Sequence, residues 1–144
     1  MPAMWIHPVL QTLAALLAVY VLYLGWVRFG FAHLGRRGRV FPWKRHVLQG
    51  AAVMSVWALA FAIGLGAAWW GWGAMFITGL HYQVGVVMLP LIGFGLATGL
   101  YMDRVKARRK VLPIAHGVVN ALLVVMAFLQ LCTGVLILRD MVLA

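Results

Sequence analysis

The chain is nearly devoid of negative charge: in 144 residues it has no glutamate and two aspartates, Asp103 and Asp140. Two acids at helix ends cannot build the inward-facing carboxylate set of a di-metal bundle. They also leave a proton or cation pathway without its usual intramembrane acids. Cysteine is as scarce. The single thiol, Cys132, has no disulfide partner and is expected to be a small packing residue. No G-x-S-x-G, phosphate-binding loop or nucleophile–base constellation occurs, which argues against hydrolase and transferase chemistry. Charged residues make up only 10%, against about 25% in soluble domains.

What fills the chain instead is apolar: 65% hydrophobic residues and a mean hydropathy of +1.00. Spanning helices need about 20 mostly apolar residues, and four segments qualify, at about 5–27, 47–68, 76–101 and 112–138. The second and third are separated only by GAAWWGWGA (66–74), whose glycines and tryptophans read as an interfacial break. Helix is the expected state, because lipid cannot satisfy the backbone of an open sheet. The expectation is an all-α, up-and-down four-helix transmembrane bundle forming one domain over 1–144. The start lacks the basic segment of a cleaved signal peptide, so the first helix is expected to stay in place.

The +10 net charge is concentrated. Arg28, Arg36, Arg37, Arg39, Lys44 and Arg45 cluster around the first connection, and Arg104, Lys106, Arg108, Arg109 and Lys110 around the third. Both lie at one end of an up-and-down bundle, so the positive-inside rule predicts a cytoplasmic basic end, both termini outside and a bacterial inner-membrane location. That distribution argues for topology and against nucleic-acid binding. Trp5, Trp69, Trp70 and Trp72 suit an outer interfacial belt, with Trp26 and Trp43 at the inner one.

Ionisable groups inside spans are expensive and mark function. Of five histidines, His33 falls in the basic loop. His7, His46, His81 and His116 fall one per helix, each near its helix's start. Because the helices alternate in direction, His7 and His81 lie near the outer face and His46 and His116 near the inner one. First and third helices are diagonal in a four-helix bundle, as are second and fourth. Two facing histidines at each of two depths form the layout for two axially ligated haems; no C-x-x-C-H is present for covalent attachment. A single four-histidine zinc or copper centre would need all four at one depth. The competing role for such histidines is interhelical hydrogen bonding.

A fixed interval strengthens the haem layout. Eighteen residues are five helical turns, about 27 Å of axis, close to the bilayer core's thickness. Each histidine is followed at that interval by glycine: His7 by Gly25, His46 by Gly64, His81 by Gly99 and His116 by Gly134. Each helix then offers a ligand at one depth and bare backbone at the other, where a haem has to pass. Gly95-x-x-x-Gly99 also matches the ordinary small-residue packing motif. One turn beyond the histidines, at i+4, come Gln11, Gly50, Gly85 and Asn120. The outer pair thus has Gln11 with Gly85 and the inner pair Asn120 with Gly50, the glycines admitting the macrocycle and the amides tuning it.

This core resembles the cytochrome b561 superfamily of dihaem membrane cytochromes. The resemblance lies in the helix placement of the four histidines and in HPVLQ (7–11), FPWKRH (41–46) with Gly50, and AHGVVN (115–120) with Gly134, and covers about residues 5–137. It implies two haems b and electron transfer across the membrane, with His7/His81 and His46/His116 in the ligand positions. The chain departs from some relatives in having no additional helices or reductase domain, and Arg139 is the only outer cation, which speaks against ascorbate as donor. The expected function is electron transfer between an outer and an inner haem, exchanging with a quinone in a quinone-linked oxidoreductase or electron-transfer subunit. Tyr82, Gln83 and Asn120 are polar groups a quinone could meet. Inner-end arginines, Arg28, Arg45, Arg104 and Arg109, could pair with haem propionates. The alternative is a haem-binding or haem-free anchor subunit of a larger complex with other redox subunits.

Overall fold

The computed structural model describes residues 2–143; the first and last residues of the expected domain lie outside that range. All regular structure among the described residues is helical. A short 3-10 turn, Pro2–Trp5, leads into α1 (Ile6–His33), α2 (Trp43–Trp72), α3 (Leu80–Arg104) and α4 (Val111–Ile137), and a π-helical turn, Leu138–Val142, extends α4. Each of the four helices is long and apolar enough to cross a membrane.

The helices are found where the hydropathy put them, but α1 and α2 outrun their apolar stretches and α3 runs on from 101 to Arg104. α1 continues past residue 27 to His33, because a long cationic side chain such as Arg28 can reach water while its stem stays on an apolar surface. His33, expected in a loop, is therefore the last helical residue, though still exposed. α2 starts at Trp43, directly after Pro42, and runs through the tryptophan cluster to Trp72. Gly73 ends it with φ 70° and an N–H bond to the Trp69 carbonyl at 2.8 Å, the left-handed stop that favours glycine. The break between second and third helices is thus residues 73–79, and α3 begins at Leu80 rather than 76.

The helices neighbour one another around a ring in chain order, which leaves α1 and α3 on one diagonal and α2 and α4 on the other. Their registers are read from close contacts. His7 lies against Gly64 and Gly25 against His46, while His81 lies against Gly134 and Gly99 against His116. Consecutive helices are therefore antiparallel.

The registers expose an inverted internal repeat. A shift of 39 residues carries His7, Ala14, Ala15, Ala18 and Gly25 of α1 onto His46, Val53, Met54, Trp57 and Gly64 of α2. A shift of 35 carries His81, Met88, Ile92 and Gly99 of α3 onto His116, Leu123, Ala127 and Gly134 of α4. The core members of both sets are buried on both sides of the match. Because matched helices run in opposite directions, the operation turns the bundle end over end, the inverted topology familiar in membrane proteins. Sizes complement across it: α1 contributes three alanines where α2 contributes Val53, Met54 and Trp57. Trp57 is 2% exposed and Leu123 fully buried.

Among the described residues, no polar or charged residue is fully buried. The outward faces carry Leu13, Leu16, Leu48, Val118 and Val125, all exposed, a surface suited to lipid. Cys132, expected to pack inside, is exposed on α4. The interval from His116 fixes which turn it occupies but not which side of the helix faces neighbours.

Candidate functional site

The fold brings the four histidines together in two pairs. The His7 and His81 ring centroids are 6.0 Å apart with planes at 78°. Those of His46 and His116 are 6.4 Å apart with planes at 69°. Each pair joins diagonal helices, and the pairs lie at opposite ends of the bundle. Among the described residues no group of three or more histidine, cysteine, aspartate or glutamate side chains forms a metal-binding cluster, so the histidines divide two and two.

Each ring is held through Nδ1. His7 Nδ1 donates to the Ala60 carbonyl at 2.6 Å and His46 Nδ1 to the Val21 carbonyl at 3.2 Å. A carbonyl only accepts, so both rings carry their proton on Nδ1. His81 Nδ1 lies 2.9 Å from Thr133 Oγ1, and His116 Nδ1 lies 2.9 Å from Thr98 Oγ1. No hydrogen bond is made by Nε2 of any of the four among the described residues.

The eighteen-residue glycines face these rings, not their own helix's histidine. An alanine methyl at Gly64 would meet His7 Cε1 and Nδ1 at 2.8 Å. At Gly99 and Gly134 it would meet the His116 and His81 rings at 3.3 Å, and at Gly25 the His46 ring at 3.4 Å. What each glycine admits in this structure is therefore the imidazole of the adjacent helix. There is a second effect. A helical Cβ leans towards the N-terminus, over the preceding turn. Leaving it out at Gly64 and Gly25 uncovers the carbonyls four residues earlier, Ala60 and Val21, which are the ones His7 and His46 use.

The residues one turn from the histidines behave differently at the two ends. At the outer pair, Gln11 and Gly85 both line a cavity of about 210 Å³ together with His7, His81, Gly64 and Gly134. Gly85 is also where Gln130 and Phe61 approach, at 3.1 and 3.2 Å from the methyl an alanine would add. At the inner pair Gly50 and Asn120 are not brought together: Gly50 faces Val21, and Asn120 packs its amide on Gly95 while donating to the His116 carbonyl at 2.7 Å. Gly95 and Gly99 thus both serve the α3–α4 contact, as the small-residue motif suggests.

Tyr82 lines the outer cavity and packs against Phe76, ring centroids 5.5 Å apart; Asn120 does not line it. Three of the four candidate inner-end arginines have protein partners. Arg45 reaches the Tyr20 hydroxyl at 3.4 Å, Arg109 donates to the Val105 carbonyl at 2.8 Å, and Arg28 lies over Phe31. Lys106 sits 3.9 Å above the Trp43 ring, linking the third connection to the start of α2.

Four contributors to the site were not singled out from the sequence. Thr98 and Thr133 carry a faint signal, since H-x16-T-G occurs twice, at 81–99 and 116–134. Gln130 donates to the His81 carbonyl at 2.9 Å. Trp57 lines the outer cavity, where its Nε1 and the Gln130 Oε1 are buried without partners. Compared with known proteins, the chain matches no family model, no curated protein and no solved structure.

Proposed function

We propose that the chain is a four-helix membrane cytochrome. In this reading His7 and His81 hold one b-type haem near the outer end, and His46 and His116 hold a second near the basic inner end. The observation that carries it is the pair of ring separations, 6.0 and 6.4 Å. Two metal–imidazole bonds of about 2 Å each, added to the distance from ring nitrogen to ring centre, call for about 6 Å. The fit extends to the donors. With Nδ1 engaged, the nitrogen left for iron is Nε2, the arrangement by which proteins orient metal-bound histidine. The outer cavity is lined mainly by apolar side chains and bare glycine backbone, and the Trp57 Nε1 there lacks a partner.

Held by His7 with His81 or by His46 with His116, a haem would supply one-electron chemistry rather than oxygen binding. The residues of the chain set the conditions. Phe61, Met88, Ile92 and Leu131 give the outer cavity an apolar lining, and the hydrogen bonds to Nδ1 fix the ring orientations. The clustered cations support a cytoplasmic basic end, and the reading takes the membrane to be a bacterial inner membrane. Electrons would pass between the faces and exchange with a membrane quinone.

The test is a reduced-minus-oxidised visible spectrum of the purified protein with a pyridine haemochrome count. About two haems b per chain are expected, falling to about one in either His81→Ala or His116→Ala, and rapid reduction by a quinol. A folded chain without a Soret band would overturn the reading and favour a packing or anchor subunit.

A further inference from the structure

The two threonines next to glycine do more than pack. Thr98 Oγ1 lies 2.6 Å from the Phe94 carbonyl and Thr133 Oγ1 lies 3.0 Å from the Leu129 carbonyl, each one turn back on its own helix. A hydroxyl has one proton, and a carbonyl can only accept it. With that proton committed to the helix, each Oγ1 meets its histidine as an acceptor. His116 and His81 are then protonated on Nδ1, like His7 and His46. The inverted repeat places one threonine at each end, so each histidine pair has one ring held by a carbonyl and one by a hydroxyl.

From this geometry we infer that Thr98 and Thr133 are positioning residues for the histidines. Thr98 fixes the tautomer and electron-donating strength of His116, and Thr133 does the same for His81, each tuning one of the two metal sites separately. The inference rests on the haem reading above. Accepting the Nδ1 proton makes Nε2 a stronger donor, which favours the oxidised metal. The carbonyl-held rings, His7 and His46, have a backbone acceptor that no substitution of the accepting residue's side chain removes. The two threonines are where sequence can set the two sites apart.

The experiment uses the full chain in detergent, comparing wild type with Thr133→Val, Thr98→Val and the corresponding serine variants. It measures haem count, haem affinity and the two midpoint potentials by spectroelectrochemical titration. Valine keeps the shape and removes the acceptor. Thr133→Val is expected to raise the potential of the outer haem alone and to weaken its binding about ten- to a hundred-fold. Thr98→Val should do the same at the inner site alone. Serine, which keeps the hydroxyl, should restore both readouts. Unchanged potentials in the valine variants, a shift at the wrong site, or serine behaving as valine would overturn the inference while haem binding stands. A wild-type chain that binds no haem would remove the haem reading itself, and the inference with it.

Discussion

Gly64→Ala is expected to strip the outer histidine pair of haem while the inner pair keeps its own, halving the pyridine haemochrome count from about two to about one. The added methyl would lie 2.8 Å from both Cε1 and Nδ1 of His7. These are atoms of a rigid ring in the middle of its hydrogen bond, so relief has to come from moving the imidazole. Moving it breaks the 2.6 Å bond to Ala60 and turns Nε2 away from His81. The same substitution at Gly25 meets the His46 ring at 3.4 Å, an ordinary contact, and should leave both haems in place. Gly99→Ala and Gly134→Ala, at 3.3 Å, require a shift of a few tenths of an ångström and should weaken their sites without emptying them. Electron paramagnetic resonance of the oxidised protein would identify which low-spin signal disappears. If Gly25→Ala lost a haem and Gly64→Ala did not, the assignment of these glycines to imidazole clearance would be wrong.

That graded outcome marks how far the sequence could be read. The interval of eighteen residues established that each glycine shares a face and a distance with its own helix's histidine. It could not establish which neighbour that face meets, because packing registers come from four helices fitted together. The glycines looked equivalent on paper and differ by more than half an ångström in clearance. Helix number, the division of the histidines and their diagonal pairing were all legible, since each follows from hydropathy, alternating direction and ring order. The ends of α1 and α2 were not, because Arg28 and the tryptophan cluster break the apolar run without ending the helix: an arginine stem and an indole both sit comfortably on helices at an interface. The roles of Thr98 and Thr133 are hidden in the sequence for another reason. A threonine in a span usually back-bonds its own helix, as these two do, and only the facing histidine shows the second bond.

Trp57 is the other position where one substitution should have a large effect. The register that sets His7 against Gly64 brings Ala14 of α1 to the level of Trp57, and the bundle centre is filled by that large indole against an alanine face. With Trp57 only 2% exposed, Trp57→Ala would open a void that Ala14, Ala15 and Ala18 are too short to fill. Its cost should approach the about 3–5 kcal/mol found for large aromatic truncations, read as a lowered unfolding midpoint in mixed detergent–SDS micelles. Trp57→Phe should cost less than half as much in haem-free protein, because the ring is mostly retained and the indole N–H has no protein partner to lose. The comparison becomes diagnostic once haem is added. Trp57 reaches into the outer cavity, so a group bound there that accepts the N–H would make the phenylalanine variant lose stability only in the loaded state. An equal effect of Trp57→Phe with and without haem would instead make the indole a space-filling wedge, with the asymmetry between α1 and α2 serving packing alone.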